Sequence, residues 1–314
     1  MRFVKMHGIG NDYVYVDACS TDAARAFALR ADLPRIARRI SDRHRGVGSD
    51  GLILVCAPCA GVDAHVRMRM FNADGSESEM CGNGVRCVAK FAHDRLGVRA
   101  APMRVETGRG VLSIAYETRG GKLTSATVDM GEPILDAARI PVDESRLRSA
   151  AGPAGAHSIE RVVDAGEGGE WIGGCVSMGN PHVVFFDAAN GALRGEGLAA
   201  LSIAEVGPRI ETHAAFPRRV NAHFVRVLSP REATMRTWER GAGATQACGT
   251  GACAVLVAGV RTGRLDRRAT LHLPGGDLQV EWDERTNHVL MTGPAEDVFE
   301  GEWNIEQTTE HTEK

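Results

Sequence analysis

The sequence predicts a mixed α/β protein made of two similar, strand-rich halves, and three observations predict it. The first is an internal repeat. Sliding the chain on itself by 167 residues carries Cys81 onto Cys248 without a gap. Met68-Arg69-Met70-Phe71 then falls on Met235-Arg236-Thr237-Trp238, and the turn Asn72-Ala73-Asp74-Gly75-Ser76 falls on Glu239-Arg240-Gly241-Ala242-Gly243. Cys-Gly-Asn-Gly at 81–84 falls on Cys-Gly-Thr-Gly at 248–251. Flanking blocks follow in the same order with small shifts: Gly10-Asn11-Asp12 resembles Gly179-Asn180-Pro181, and Thr107 to Leu112 resembles Leu273 to Leu278. This period is far longer than that of a solenoid repeat. The second observation is a succession of short β-branched and aromatic runs bounded by glycine turns. The third is that helical periodicity is confined to a few segments, two of which open directly after the paired Cys-Gly-x-Gly motifs.

In chain order, strands are expected at Phe3 to Met6, Tyr13 to Val16, Leu52 to Val55, His65 to Phe71, Leu112 to Tyr116, Val183 to Phe186, Phe224 to Val227 and Leu278 to Trp282. Helices are expected over Leu33 to Asp42, Gly84 to Leu96 and Gly251 to Arg261. In the second of these, Val85, Val88, Ala89 and Ala92 recur at helical spacing; the third is apolar nearly all round, the mark of a buried helix. Residues 145–170, rich in Gly, Ala and charge, read as a loop or insertion in the second half. The expected division is 1–124 for the N-terminal half and 125–295 for the C-terminal half. The segment of about 296–306 returns to the first half, and 307–314 forms a disordered polar tail.

Composition narrows the function classes. The chain has 314 residues, enough for two ordinary domains, with 43% apolar and 25% charged residues. A net charge of −3 offers no basic excess for nucleic acid. No apolar run approaches the length of a membrane span, and the N-terminus has no signal-peptide pattern, so the expected setting is the cytoplasm, with reduced thiols. Eight cysteines in this length are far too few for a disulfide scaffold.

Cys81 and Cys248 each stand immediately before Gly-x-Gly and an expected helix. Glycines there permit a tight turn, and a helix N-terminus carries partial positive charge and amides without intrahelical partners. A thiol in that position is expected to have its pKa drawn from about 8.5 toward neutrality, and the same amides can hold a carboxylate. Two such sites suit inversion of a stereocentre, in which a base removes a proton from one face and an acid returns one to the other. A disulfide between the two cysteines competes with this reading and would abolish it. For Cys19, Cys87, Cys175 and Cys253 the ordinary role is that of a small buried hydrophobe. Cys56-Ala-Pro-Cys59 has redox or zinc spacing, but no second CxxC lies near it, and it reads as loop.

These residues resemble the diaminopimelate epimerase family. The resemblance is carried by Lys5-Met6-His7-Gly8-Ile9-Gly10-Asn11-Asp12, Gly46 to Gly51, Phe71 to Glu77, Met80 to Cys87, Ser177 to His182, and Trp238 to Gly243 running into Gln246 to Gly251. It implies two halves, each a strand-rich barrel-like layer around a central helix, with the active site in the cleft between them. It implies cofactor-independent interconversion of LL- and meso-diaminopimelate in lysine and peptidoglycan precursor synthesis, with no metal, by a cytoplasmic homodimer. By position, Cys81 and Cys248 match the catalytic pair. Asn11, Asn72, Asn180 and Asn221 match substrate-holding asparagines. Gly82, Asn83, Gly249 and Thr250 match backbone cradles for a carboxylate. Glu239 and Arg240 match the pair beside the second cysteine, and His182 and Glu239 match groups that adjust the thiol pKa values. The chemistry fits: asparagine reads both ammonium and carboxylate, Arg240 can clamp a carboxylate bidentately, and a partner could carry the charge of His182 across neutrality.

Two positions depart from the family pattern: Gly51 stands where some members carry glutamine, and Ala244 where many carry an acidic residue. Proline and hydroxyproline racemases also pair two cysteines, but the Met-Cys-Gly-Asn-Gly and Ala-Cys-Gly-Thr-Gly contexts favour diaminopimelate. Phenazine-synthesis isomerases lack the cysteine pair. A pyridoxal-phosphate racemase needs a Schiff-base lysine. None of the four lysines, at 5, 90, 122 and 314, sits in a phosphate-binding context. A cysteine-based redox or zinc module would need clustered CxxC pairs.

Overall fold

The computed structural model describes residues 1–150 and 159–305. The chain divides into two compact units, Met1–Val128 with Gly293–Lys314, and Asp129–Thr292. In chain order the first unit contains β1 (Arg2–Gly8), β2 (Asn11–Ala18), α1 (Asp22–Ala28), α2 (Leu33–Ser41), β3 (Gly51–Cys56) and β4 (Val66–Asn72). It continues with β5 (Glu77–Ser78), α3 (Gly82–Leu96), β6 (Met103–Thr107), β7 (Gly110–Arg119) and β8 (Lys122–Asp129). The second contains β9 (Arg148–Ser149), β10 (Arg161–Asp164), β11 (Glu170–Ser177), β12 (Pro181–Phe186), α4 (Gly197–Ala200), α5 (Ile203–Glu211) and β13 (Asn221–Ser229). It ends with β14 (Glu232–Glu239), β15 (Gly243–Thr245), α6 (Gly249–Arg261), β16 (Arg268–Leu273), β17 (Gly276–Trp282) and β18 (Val289–Pro294). The last strand, β19 (Glu296–Glu302), returns to the first unit and pairs antiparallel with β1.

Within the first unit, β1 pairs antiparallel with β2, β2 runs parallel to β3, β3 is antiparallel to β4, and β4 is parallel to β6, after which β7 and β8 follow as antiparallel neighbours. α3 packs against β1, β2, β3, β4 and β6, so the sheet curls around it. The burial of every residue from Gly82 to His93 follows from that enclosure. Gly97, left-handed at φ 73°, ends the helix, its N–H reaching the Ala92 carbonyl. α2 covers the opposite face, where Leu33, Ile36 and Ile40 meet Val14, Val16, Leu52, Leu54 and Phe71. This two-sided burial is why β3 is buried at all six positions and reads as a continuous apolar run.

The second unit repeats the pattern. β11 is antiparallel to β12, β12 parallel to β13, β13 antiparallel to β14, and β14 parallel to β16, followed by β17 and β18. α6 packs against β11, β12, β13, β16 and β17. The sequence repeat is therefore a repeat of topology, with α6 in the place of α3.

Every strand and helix expected above is present. Three helices escaped the sequence reading, among them the four-residue α4. α1 has only seven residues, held by the Thr21 side chain accepting from the Ala24 N–H. α5 contains Pro208, a helix breaker by propensity, and is held by burial of Ile203, Val206 and Ile210. The 145–170 stretch is not all loop. β10 lies in it and pairs with β11, because Val162 and Val163 are buried there. Just before β10, the fully buried Glu160 accepts from Arg264 at 2.8 and 3.1 Å. Residues 151–158 and the 307–314 tail lie outside the described residues.

The departure at Gly51 has a steric cause. A Cβ on Gly51 would collide with the Phe71 carbonyl oxygen and lie 2.9 Å from Tyr13 Cε1, so this backbone admits no side chain there. Gly51→Ala is expected to lower the unfolding free energy by about 1–3 kcal/mol through forced separation of β3 from β4, read as a lower urea midpoint with unchanged slope.

Candidate functional site

In each unit the N-terminus of the central helix meets the ends of three neighbouring strands. In the first, Cys81 is the N-cap of α3, with extended backbone angles, and its Sγ accepts from the Gly84 N–H at 3.4 Å. It also donates to Asn11 Oδ1 at 3.3 Å, at the start of β2. Asn11 Nδ2 in turn donates to Asp50 Oδ2 at 2.7 Å, and Asp50 also accepts from the Asp12 N–H at 3.1 Å. Asn72 lies at the end of β4 opposite Gly51 and donates to Ser76 Oγ at 3.0 Å. Burial pushes the Asp50 carboxyl up, and neighbouring Asp12 adds to the rise. Burial opposes ionisation of Asp12 as well, but Arg43 and Lys5 outweigh it and hold its pKa below the usual carboxylate value. Tyr13 is pushed well up by burial and by Cys81. Beneath the first turn, the buried Arg86 donates to Asn83 Oδ1 at 3.0 Å, to the Gly82 carbonyl at 3.3 Å and to the Pro294 carbonyl at 3.1 Å. That clamp fixes the Gly82–Asn83 backbone in the first turn of α3.

In the second unit Cys248 is the N-cap of α6 and is buried. Its Sγ lies 3.7 Å from Thr250 Oγ1, which accepts from Asn180 Nδ2 at 3.4 Å. Asn180 Oδ1 lies 3.0 Å from His182 Nε2, His182 Nδ1 lies 2.8 Å from His223 Nε2, and His223 Nδ1 lies 3.0 Å from Thr237 Oγ1. Both histidines are fully buried. Glu239, at the end of β14, accepts from Thr245 Oγ1 at 2.6 Å. Asn221 joins two strand ends, donating to the Pro181 carbonyl at 3.0 Å and accepting the Arg240 N–H at 2.9 Å. Arg240 is exposed, and its guanidinium donates to the Arg218 carbonyl at 2.9 Å.

Two expectations about charge are reversed here. Cys248 does not have a lowered pKa: burial raises it, and the Glu239 carboxylate raises it further, against smaller opposing pulls from Thr250 and the Gly251 N–H. His182 does not titrate near neutrality, because burial, His223 and Arg240 all disfavour its charged form and carry its pKa well below 6.5. None of the eight cysteines, all of them among the described residues, is in a disulfide. Of the CxxC pair, Cys56 ends β3 with its thiol pushed up by burial to about 11, while Cys59 lies exposed and accepts from Arg67 at 2.9 Å. Among the described residues no cluster of three or more His, Cys, Asp or Glu is arranged to hold a metal, and no helix is long and apolar enough to cross a membrane.

The family model for diaminopimelate epimerase matches residues 3–135 and 174–298. The chain belongs to the diaminopimelate epimerase family. It is 45% identical over 306 residues to the diaminopimelate epimerase of Moorella thermoacetica, covering 98% of this chain and 100% of that one. It is 48% identical over 313 residues to the enzyme of that name from Desulfovibrio desulfuricans, covering 97% and 99%. Among solved structures, a probable proline racemase from Agrobacterium radiobacter superposes with a TM-score of 0.66 at 15% identity, covering 98% of this chain and 94% of that one. A Bacillus anthracis phenazine biosynthesis protein superposes with 0.61 at 14%, covering 97% and 99%. These two likenesses establish the shared α/β fold alone. The internal part left unmatched by the family model, 136–173, contains the stretch read as an insertion.

The structure brings Asn11, Gly82 and Asn83 together with Cys81, and Asn180, His182, Glu239, Gly249 and Thr250 together with Cys248. Asn72 and Asn221 sit at the same strand ends. Sequence reasoning missed His223, Thr237, Tyr13 and Asp50. The signal for His223 was available in the repeat: two positions into β13, it stands where β3 has Ile53. A Cβ at Gly84 would lie 2.9 Å from Ile53 Cδ1, and one at Gly251 would strike the His223 ring.

The buried histidines make stability depend on pH. His223 has its pKa lowered by burial to about 3, so it stays neutral in the native state where the unfolded chain already binds a proton. The unfolding free energy is therefore expected to fall as pH drops below about 6.5, by about 1.4 kcal/mol per pH unit for each of His182 and His223. His223→Gln removes one such contribution, so urea titrations from neutral to acid pH should show a shallower decline for this variant.

Proposed function

We propose that this chain interconverts LL- and meso-diaminopimelate, without a cofactor, by two-cysteine proton transfer at the α-carbon. The observation that carries this reading is the duplicated cysteine at a buried helix N-terminus, in a chain that belongs to the diaminopimelate epimerase family over nearly its whole length. One thiol, deprotonated, removes the α-proton, and the other delivers a proton to the opposite face; after turnover their states have exchanged. In the first helical turns, the amides of Gly82 and Asn83, and of Gly249 and Thr250, are suited to a carboxylate. Asn11, Asn72, Asn180 and Asn221 are suited to the polar groups of an amino-acid end, Glu239 to an ammonium and Arg240 to a carboxylate.

The two half-sites are not equivalent electrically, and this supports assigning Glu239 and His182 to tuning. Glu239 takes the position that the neutral Asn72 holds in the first unit, and His182 that of Tyr13. The Glu239 carboxylate favours the protonated form of Cys248, which suits that residue to donating a proton. The same proposal has a homodimer working in the cytoplasm as a step toward lysine and peptidoglycan precursors. It rests on family resemblance, and light scattering of the purified protein tests the dimer.

The activity test follows meso product formed from LL-diaminopimelate by reduced wild type, Cys81→Ala and Cys248→Ala. Each variant is expected to lose about a hundredfold to ten-thousandfold in kcat, the worth of one acid or base, while keeping the wild-type melting transition. A wild type inactive on diaminopimelate but active on proline or hydroxyproline would overturn the substrate, and a Cys→Ala variant with wild-type kcat would overturn the mechanism.

A further inference from the structure

The polar groups behind Cys248 form one continuous chain, and their chemistry fixes its direction. Asn180 Nδ2 is engaged as donor to Thr250 Oγ1, so Asn180 Oδ1 faces His182. A carbonyl oxygen only accepts, so His182 Nε2 carries the proton. In a neutral imidazole the other nitrogen is then bare, and His182 Nδ1 must accept from His223 Nε2, 2.8 Å away. His223 Nδ1 is bare by the same rule and accepts from the Thr237 hydroxyl at 3.0 Å. At the far end, Thr250 Oγ1 already receives the Asn180 N–H, which leaves its own proton for Cys248 Sγ at 3.7 Å. Every donor from Thr237 to Thr250 thus points toward the sulfur. Complete burial of both rings keeps water from supplying a substitute partner.

We propose that His223 is a positioning residue: by donating to His182 it locks the Nε2–H tautomer, and through Asn180 it holds the Thr250 hydroxyl as a donor to the Cys248 thiolate. The role of that thiolate rests on the epimerase reading; the hydrogen-bond chain does not. The chain opposes Glu239, which favours the thiol. His182 also faces Arg240, which disfavours a charged ring. The first unit has no counterpart, since Ile53 occupies the equivalent place beside Gly84.

The test compares wild type, His223→Gln and His223→Leu without substrate. Long-range proton–nitrogen correlation spectra of histidine-labelled protein report which ring nitrogen of His182 is protonated. Iodoacetamide alkylation, resolved by peptide mass spectrometry, reports the thiolate at Cys248, with Cys81 as internal control. Wild type and the glutamine variant, which keeps both a donor and an acceptor, are expected to show the Nε2–H tautomer and similar Cys248 alkylation. The leucine variant should lose the single tautomer and alkylate about tenfold more slowly at Cys248, the loss of one hydrogen bond to a charged group, with Cys81 unchanged. A proton on Nδ1 in wild type, or a leucine variant alkylated at Cys248 as fast as wild type, would overturn the proposal. So would a glutamine variant as slow as the leucine one. Should the leucine variant fail to fold, the wild-type and glutamine spectra decide the matter: Nε2–H in both sustains the chain, and Nδ1–H in either overturns it. Because no turnover is read, failure here leaves the epimerase assignment standing, and an inactive wild type leaves this test intact.

Discussion

The structure depends on one close approach made twice: a helix N-terminus seated on a strand through a glycine in its first turn. Gly84 lets α3 settle against Ile53, and Gly251 lets α6 settle against His223. A side chain at either glycine would lift the helix and move the cysteine that caps it. Because each helix is buried by the strands curled around it, it has no freedom to tilt and absorb the change. The strand order sustains the seat. Parallel β2 and β3, with antiparallel β4, bring Asn11, Gly51 and Asn72 to one end of the sheet, beneath Cys81. β12, β13 and β14 do the same for Asn180, Asn221 and Glu239 beneath Cys248.

On that duplicated frame the electrostatics diverge. A helix N-terminus favours a thiolate by a modest amount, about 0.3–1 kcal/mol at an exposed site, whereas burial and an adjacent carboxylate disfavour it more strongly. At Cys248 the second pair of effects wins. The expectation of a uniformly activated thiol followed from the helix alone and left out desolvation, which depends on how deeply the second unit buries its cysteine. The His182–His223 pair shows the same rule: two imidazoles in contact, shut away from water, stay neutral and act through hydrogen bonds rather than charge.

Much of this was legible in the sequence. The repeat located both helices, both cysteines and the pair Asn11 and Asn180, because each is tied to a glycine turn or a period-two pattern that leaves a local mark; Asn72 and Asn221 came from the family resemblance. What was not legible depends on tertiary contact. α5 carries a proline against its own propensity and survives by packing. β10 hides in a Gly- and Ala-rich stretch and is recruited by pairing with β11. His223 stands between Ala222 and the apolar pair Phe224-Val225 and looks like any strand residue until its ring is found against Gly251. Gly51, which reads as a lost contact, is demanded by the carbonyl of Phe71.

One isotope measurement tests the proposal that two separate thiols handle the two protons. Wild-type enzyme is given LL-diaminopimelate in deuterium oxide, and the reaction is stopped at low conversion, before product can return. Two-cysteine transfer predicts that newly formed meso product carries deuterium at the inverted α-carbon while unreacted LL substrate remains protiated, since the acceptor of the substrate's proton is not its donor. Meso product that retains the substrate's own proton at that carbon would mean a single group serves both faces, and would contradict two-cysteine transfer.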